Sequence, residues 1–167
     1  MSQIISEELI EDVKRFIEDN NRSSLMKLID EMRAADVADL IEHLDQDERM
    51  FIFNLLDPEG AGEVLVEIEP PVQEGIISGL DDEAISEIVE ELESDDAADL
   101  VGDLPEERAK GIIERVAEDV LEDLEKLLPH PADTAGGIMA LEFVAVNAEA
   151  TVQEAIETIR EKREEVE

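Results

Sequence analysis

Residues 40–56 read LIEHLDQDERMFIFNLL, with apolar side chains at Leu40, Ile41 and Leu44 and again, one repeat further on, at Ile52, Phe53 and Leu56. Within each set the spacing is i, i+1, i+4, which lines one stripe of a helix. Between the sets stands Asp45, whose side-chain oxygen suits a helix start because it can accept from an otherwise unpaired backbone N–H. The stretch therefore predicts a helix of about two turns, a tight connection and a second such helix.

The pattern extends in both directions. Leu44, Leu56, Ile68, Leu80, Leu92, Leu104 and Val116 recur at one constant interval, as do Leu40, Ile52, Val64, Ile76, Ile88, Leu100 and Ile112. A third column holds Ile41, Phe53, Leu65, Ile77, Val89, Val101 and Ile113. The connecting positions carry Asp45, Asp57-Pro58, Glu69-Pro70-Pro71, Asp81, Ser94 and Pro105, residues that cap or open helices. A two-turn helix is not stable alone in water, because nucleation is costly and few hydrogen bonds repay it. Stacking must supply the stability: two repeat units make a helical hairpin, and successive hairpins bury a shared core as in other solenoids. Further helices are expected after Ser6, on Leu9, Val13, Phe16 and Ile17, and after Ser23-Ser24, on Leu25, Leu28, Ile29 and Met32. From Glu106 to Leu128 no clear breaker decides between one long helix and two.

The chain has 167 residues, 43% of them hydrophobic, which is enough to build a core. With 48 acidic and 13 basic residues its formal charge is −35. Such a surface repels nucleic acid and anionic lipid and attracts cations or basic partners, so nucleic-acid binding is set aside. The absence of cysteine excludes disulfides and thiolate metal sites. No apolar run approaches the ~20 residues of a membrane span, and MSQIISEELIEDV lacks the features of a signal peptide. The expectation is a soluble, cytoplasmic chain.

At Pro129 the pattern changes. PHPAD ends the helix, AGG is a flexible turn, Phe143–Val146 is a β-branched and aromatic run expected to form a strand, and Thr151 opens a helix with Glu154 at capping-box spacing. A lone strand and helix do not make a domain, so the sequence is expected to stop inside a second one.

The segment DTAGGIMALEFVAV, after an acidic array of short helices, resembles the junction between the N-terminal cytosolic domain and the first CBS domain of the MgtE magnesium channels. The resemblance runs from about Ser24 to Arg160; Ala140 departs from it, standing where the family commonly has threonine. It implies an all-α superhelical array over residues 1–129, a linker at 130–139, and the incomplete strand-helix start of a CBS domain at 140–167. It also implies a function: sensing of intracellular Mg²⁺ to close the pore, with the CBS and transmembrane domains of the same full-length protein as partners, in a homodimer at the cytoplasmic face of the membrane. By the same resemblance the metal positions fall on Glu63, Asp95, Asp99 and the backbone oxygen of Gly137, half-sites that are completed by CBS carboxylates and bind Mg²⁺ weakly without them. An alternative is a protein-interaction scaffold, since the middle segments of the flagellar motor switch protein FliG are similar short-helix arrays. The continuation after Gly137 favours the channel.

The residues themselves allow a plainer account. Asp95 and Asp96 follow Ser94 in a first helical turn, where the helix dipole favours carboxylates by about 0.3–1 kcal/mol, so capping alone accounts for them. Asp99 lies mid-helix, one turn from Asp95 and one from Asp103, and gains little from the dipole. Glu63 shares its place in the repeat with Asp39, Glu87 and Asp99, which equally suits an exposed face, and Gly136-Gly137 is most simply a turn. Mg²⁺ takes hard oxygen ligands, and a face of carboxylates with few bases beside it suits that ion. His43 and His130 belong to no recognised motif, and neither a nucleophilic cysteine nor a Gly-rich phosphate loop occurs. The chain reads as a non-enzyme.

Overall fold

Helix starts in this protein follow the interval set by the apolar columns. In the computed structural model, which describes residues 5–131 and 134–162, the helices are α1 (Glu7–Glu18), α2 (Arg22–Ile29), α3 (Ala34–Glu42), α4 (Gln46–Phe53), α5 (Pro58–Glu67), α6 (Pro70–Gly79), α7 (Asp82–Glu91), α8 (Ser94–Gly102), α9 (Glu106–Ile113), α10 (Glu118–Leu127) and α11 (Val152–Glu161). From α3 to α10 every helix begins one repeat after the one before it. The question left open after Glu106 is answered by α9 and α10, which are separate helices. Ala132 and Asp133 of the linker and the end of the CBS-like segment, residues 163–167, lie outside the described residues.

The caps explain the sharp starts. Asp45 accepts from the N–H groups of Asp47 at 3.1 Å and Glu48 at 3.0 Å, while Glu48 accepts from the Asp45 N–H at 2.9 Å, closing a capping box. Asp57 accepts from Gly60 N–H and Asp81 from Ala84 N–H. Two expected caps are displaced. The N-cap of α2 is Asn21, placing Ser23 and Ser24 inside the helix; the N-cap of α8 is Glu93, which makes no side-chain cap, and Ser94 is the first helical residue.

The chain divides into two compact units. One holds residues up to Leu92 together with Pro105–Val116, and so α1–α7 and α9; the other holds Glu93–Leu104 and the residues from Ala117 on, and so α8, α10 and α11. Within the first unit alternate helices pack: α3 on α5, α5 on α7 and α7 on α9 in one row, α4 on α6 in another. That is the stacking of hairpins, and the same polar device repeats at the hairpin interval. Arg49 donates to the carbonyls of Ile41 and Glu42, and Gln73, two repeats further along, donates to the carbonyl of Leu65. Each closes the end of the preceding odd-numbered helix, where carbonyls lack intrahelical partners. Arg108 on α9 binds the Ile77 and Leu80 carbonyls at 3.0 and 2.8 Å and Asp82 at 2.9 Å, which fixes α9 to the turn between α6 and α7. In the second unit α8 packs on α10.

The column from Leu40 to Ile112 is buried at every position, and the column from Ile41 to Ile113 at all but the last. The third is mixed: Leu44, Ile68 and Val116 are buried, whereas Leu56, Leu80, Leu92 and Leu104 are half-buried. These side chains sit at or just past helix ends, Leu80 and Leu92 being C-caps with extended backbone, so the stripe loses its regular direction there.

Residues 143–146 do not form the expected strand. No strand is present among the described residues, and a strand whose N–H and C=O groups lack a ladder partner gains nothing over water. The following helix does form, with the Thr151–Glu154 capping box intact. It buries no residue, and Val152 and Ile159 are 78% and 53% exposed.

Candidate metal centre

Three of the four expected metal positions lie in the second unit. On α8 no basic residue accompanies Asp95, Asp96 and Asp99, and Asp103 follows as the C-cap. The Glu93, Asp95 and Asp96 carboxylates each bring an oxygen to within 4.8 Å of the others. Asp95 Oδ1 is buried and has no hydrogen-bond partner among the described residues. Burying a polar oxygen without a donor costs roughly 1–3 kcal/mol, more for a charged one.

One turn further along, Asp99 lines a cavity of about 210 Å³ with Ala98, Asp103, His130 and Gly137 among its other walls. Its carboxyl is held above the usual aspartate range, first by partial burial and then by the charges of Asp103 and Asp95. Asp103 stands at the C-terminal end of α8, where the helix dipole disfavours a negative charge. Among the described residues that line this cavity only His130 carries a basic group, and its ring covers Gly136 so closely that a β-carbon there would lie 2.7 Å from it. Gly137 is buried, and its N–H donates to the Thr134 carbonyl and hydroxyl at 3.0 and 3.2 Å.

The structure thus brings Asp99 and Gly137 to one cavity and sets Asp95 in a carboxylate cluster at the start of the same helix. Glu63 is exposed on α5, in the first unit. Sequence reasoning placed Asp96 beside Asp95 as a helix-start charge but did not count Glu93 or Asp96 among the metal positions, and it missed Glu142. The Glu142 carboxylate accepts from Ser94 N–H at 3.1 Å and from the Ser94 hydroxyl at 2.7 Å. Glutamate is a poor N-cap, so Glu93 at that position signals that α8 needs an acceptor from elsewhere; a partner 48 residues away leaves no local pattern.

The Glu93, Asp95 and Asp96 carboxylates, with one oxygen buried and unpaired, are hard oxygen donors of the kind a divalent cation such as Mg²⁺ takes. Residues 32–133, more than half of the chain, match the family described as the MgtE intracellular N domain. This chain belongs to that family. No curated protein matches it in sequence. Two solved structures are similar over nearly its whole length. The cytosolic domain of the Mg²⁺ channel MgtE in complex with ATP is 26% identical with a TM-score of 0.81, over 95% of this chain and 65% of that one. The soluble part of a magnesium transporter is 20% identical with a TM-score of 0.81, over 96% of this chain and 64% of that one, and shows the shared fold. The chain spans just under two thirds of the length of each. The family is described as an intracellular domain, and no helix among the described residues is long and apolar enough to cross a membrane.

Proposed function

We propose that this MgtE intracellular N domain is the Mg²⁺-sensing regulatory part of a magnesium channel, acting at the cytoplasmic face of the membrane. Asp95, Asp99 and the Gly137 carbonyl oxygen supply ligands from the second unit and Glu63 supplies one from the first. Bound Mg²⁺ then bridges to CBS domains of the same protein and favours the closed pore, in a full-length homodimer. The observation that carries this reading is the buried, unpaired Oδ1 of Asp95 beside Glu93 and Asp96. A cluster serving only as solvated surface charge would leave that oxygen to water.

Thermal unfolding at fixed, high ionic strength tests the proposal, because monovalent salt alone stabilises so acidic a chain by screening. Mg²⁺ at ten times its Kd should add about 1.4 kcal/mol, from RT ln(1 + [L]/Kd). Asp95→Asn combined with Asp99→Asn should abolish that increment. Asp45→Asn with Asp81→Asn should keep it, since asparagine caps helices about as well as aspartate. Equal behaviour of the two double variants would mean diffuse charge screening, leaving the interaction-scaffold reading.

A further inference from the structure

The start of α8 is joined to the segment after the linker by three hydrogen bonds that share one serine. Besides the two that Ser94 gives to Glu142, the Leu141 N–H donates to Ser94 Oγ at 2.9 Å. Ser94 is only 5% exposed, so this is a closed contact and not a surface encounter. The Ser94 N–H is one of the donors that a helix start leaves without an intrahelical partner, and the local N-cap residue, Glu93, does not serve it with its side chain.

Glu142 supplies the capping acceptor that Glu93 does not, accepting from both the Ser94 N–H and its hydroxyl at a helix start where the dipole favours a carboxylate. The contact also accomplishes more than capping, and what it adds is placement. Gly137 is held from its N-terminal side by the Thr134 turn, itself closed by the Thr134 hydroxyl donating to the Pro131 carbonyl at 2.7 Å. On its C-terminal side the Ile138 N–H donates to the Thr134 carbonyl at 3.2 Å, and beyond it the next fixed points are Leu141 and Glu142. Pinned at both ends, the segment keeps Gly137 in the cavity that Asp99 lines.

We propose that Glu142 is a positioning residue for the α8 cation site: through Ser94 it ties residues 138–142 to the start of α8 and so holds the Gly137 carbonyl region beside Asp99. This rests on the Mg²⁺ reading above. Docking of the segment is what sets Gly137 beside Asp99, so cation binding there and docking favour each other, as linkage requires.

The test is a Mg²⁺ titration of the whole chain at constant ionic strength, read as the melting temperature and as amide hydrogen exchange at Gly137 and Leu141, for the parent, Glu142→Ala, Glu142→Gln and Ser94→Ala. Gln retains an acceptor oxygen for the Ser94 N–H without the charge. The expected result is a Mg²⁺ midpoint raised about tenfold or more in Glu142→Ala and Ser94→Ala, with Leu141 exchange accelerated even in chelator, and a midpoint near the parent's in Glu142→Gln. A residue that merely caps α8 would lower the melting temperature and leave the midpoint in place; that outcome overturns the positioning role while the Mg²⁺ site stands. A parent with no response beyond matched K⁺ overturns both, and chelator-only exchange at Leu141 then shows whether the Ser94 contact itself persists. If Glu142→Ala fails to fold, Ser94→Ala alone decides by the same midpoint.

Discussion

Asp99→Asn should stabilise the protein when Mg²⁺ is absent and deprive it of stabilisation when Mg²⁺ is present. Asp99 lies one helical turn from Asp95 and one from Asp103, and burial and both charges hold its carboxyl above the ordinary range. A carboxyl whose native pKa is raised favours folding when protonated; that contribution is full below the unfolded pKa and disappears as pH rises through the native one. At neutral pH the ionised Asp99 is therefore a net cost. Like-charge pairs one turn apart cost about 0.2–0.5 kcal/mol each, so the two pairs together are worth about 0.4–1 kcal/mol in this largely exposed setting. For a chain of this size that is a rise of roughly 1–4 °C in melting temperature. The assay is far-UV circular dichroism melting in chelator at 150 mM KCl across pH 3 to 8. The advantage of Asp99→Asn should be greatest at neutral pH and shrink on acidification, as the parent's carboxyl becomes neutral too. An Asn variant no more stable than the parent in chelator at pH 7, or an advantage that grows as pH falls, would refute the electrostatic account of α8.

Other consequences concern the array. Ile76 is fully buried, so Ile76→Ala should cost about 2–5 kcal/mol and Ile76→Val about 0.5–1.5 kcal/mol in urea unfolding. Arg108→Ala, which removes three hydrogen bonds to the turn between α6 and α7, should cost about 2–4 kcal/mol, less than three full charge-assisted bonds because the guanidinium is half-buried. Arg108→Lys should recover little of that, since an ammonium cannot reproduce the planar fork; recovery to the parent's midpoint would show that charge alone holds α9.

The array was legible because its determinants are local. Apolar residues at i, i+1 and i+4, with aspartate or proline at the connections, set helix starts at 34, 46, 58, 70, 82, 94, 106 and 118. What sequence did not disclose is which helices share a unit, for α8 and α9 carry the same pattern yet belong to different units. That choice is made by non-local contacts such as Arg108 with Ile77 and Leu80. The site was legible to the same degree: Asp95 and Asp99 stand out as clustered charge on one helix, but the Asp99 cavity and the Glu142 contact arise only where His130, Gly137 and Glu142 meet α8, and the unpaired Asp95 oxygen has no local signature. The expected strand failed for a related reason, since β-branched and aromatic composition does not make a strand without a partner to complete its ladder.

A Mg²⁺ titration of the ¹⁵N-labelled chain followed by backbone amide chemical shifts, at constant ionic strength, tests the central claim most directly. The account predicts saturable shifts concentrated at residues 93–103 and 134–142, while the amides after the capping aspartates Asp45, Asp57 and Asp81 stay near their K⁺ positions. Shifts of similar size at all of these acidic sites, rising without saturation, would contradict it and reduce the aspartates of α8 to surface charge.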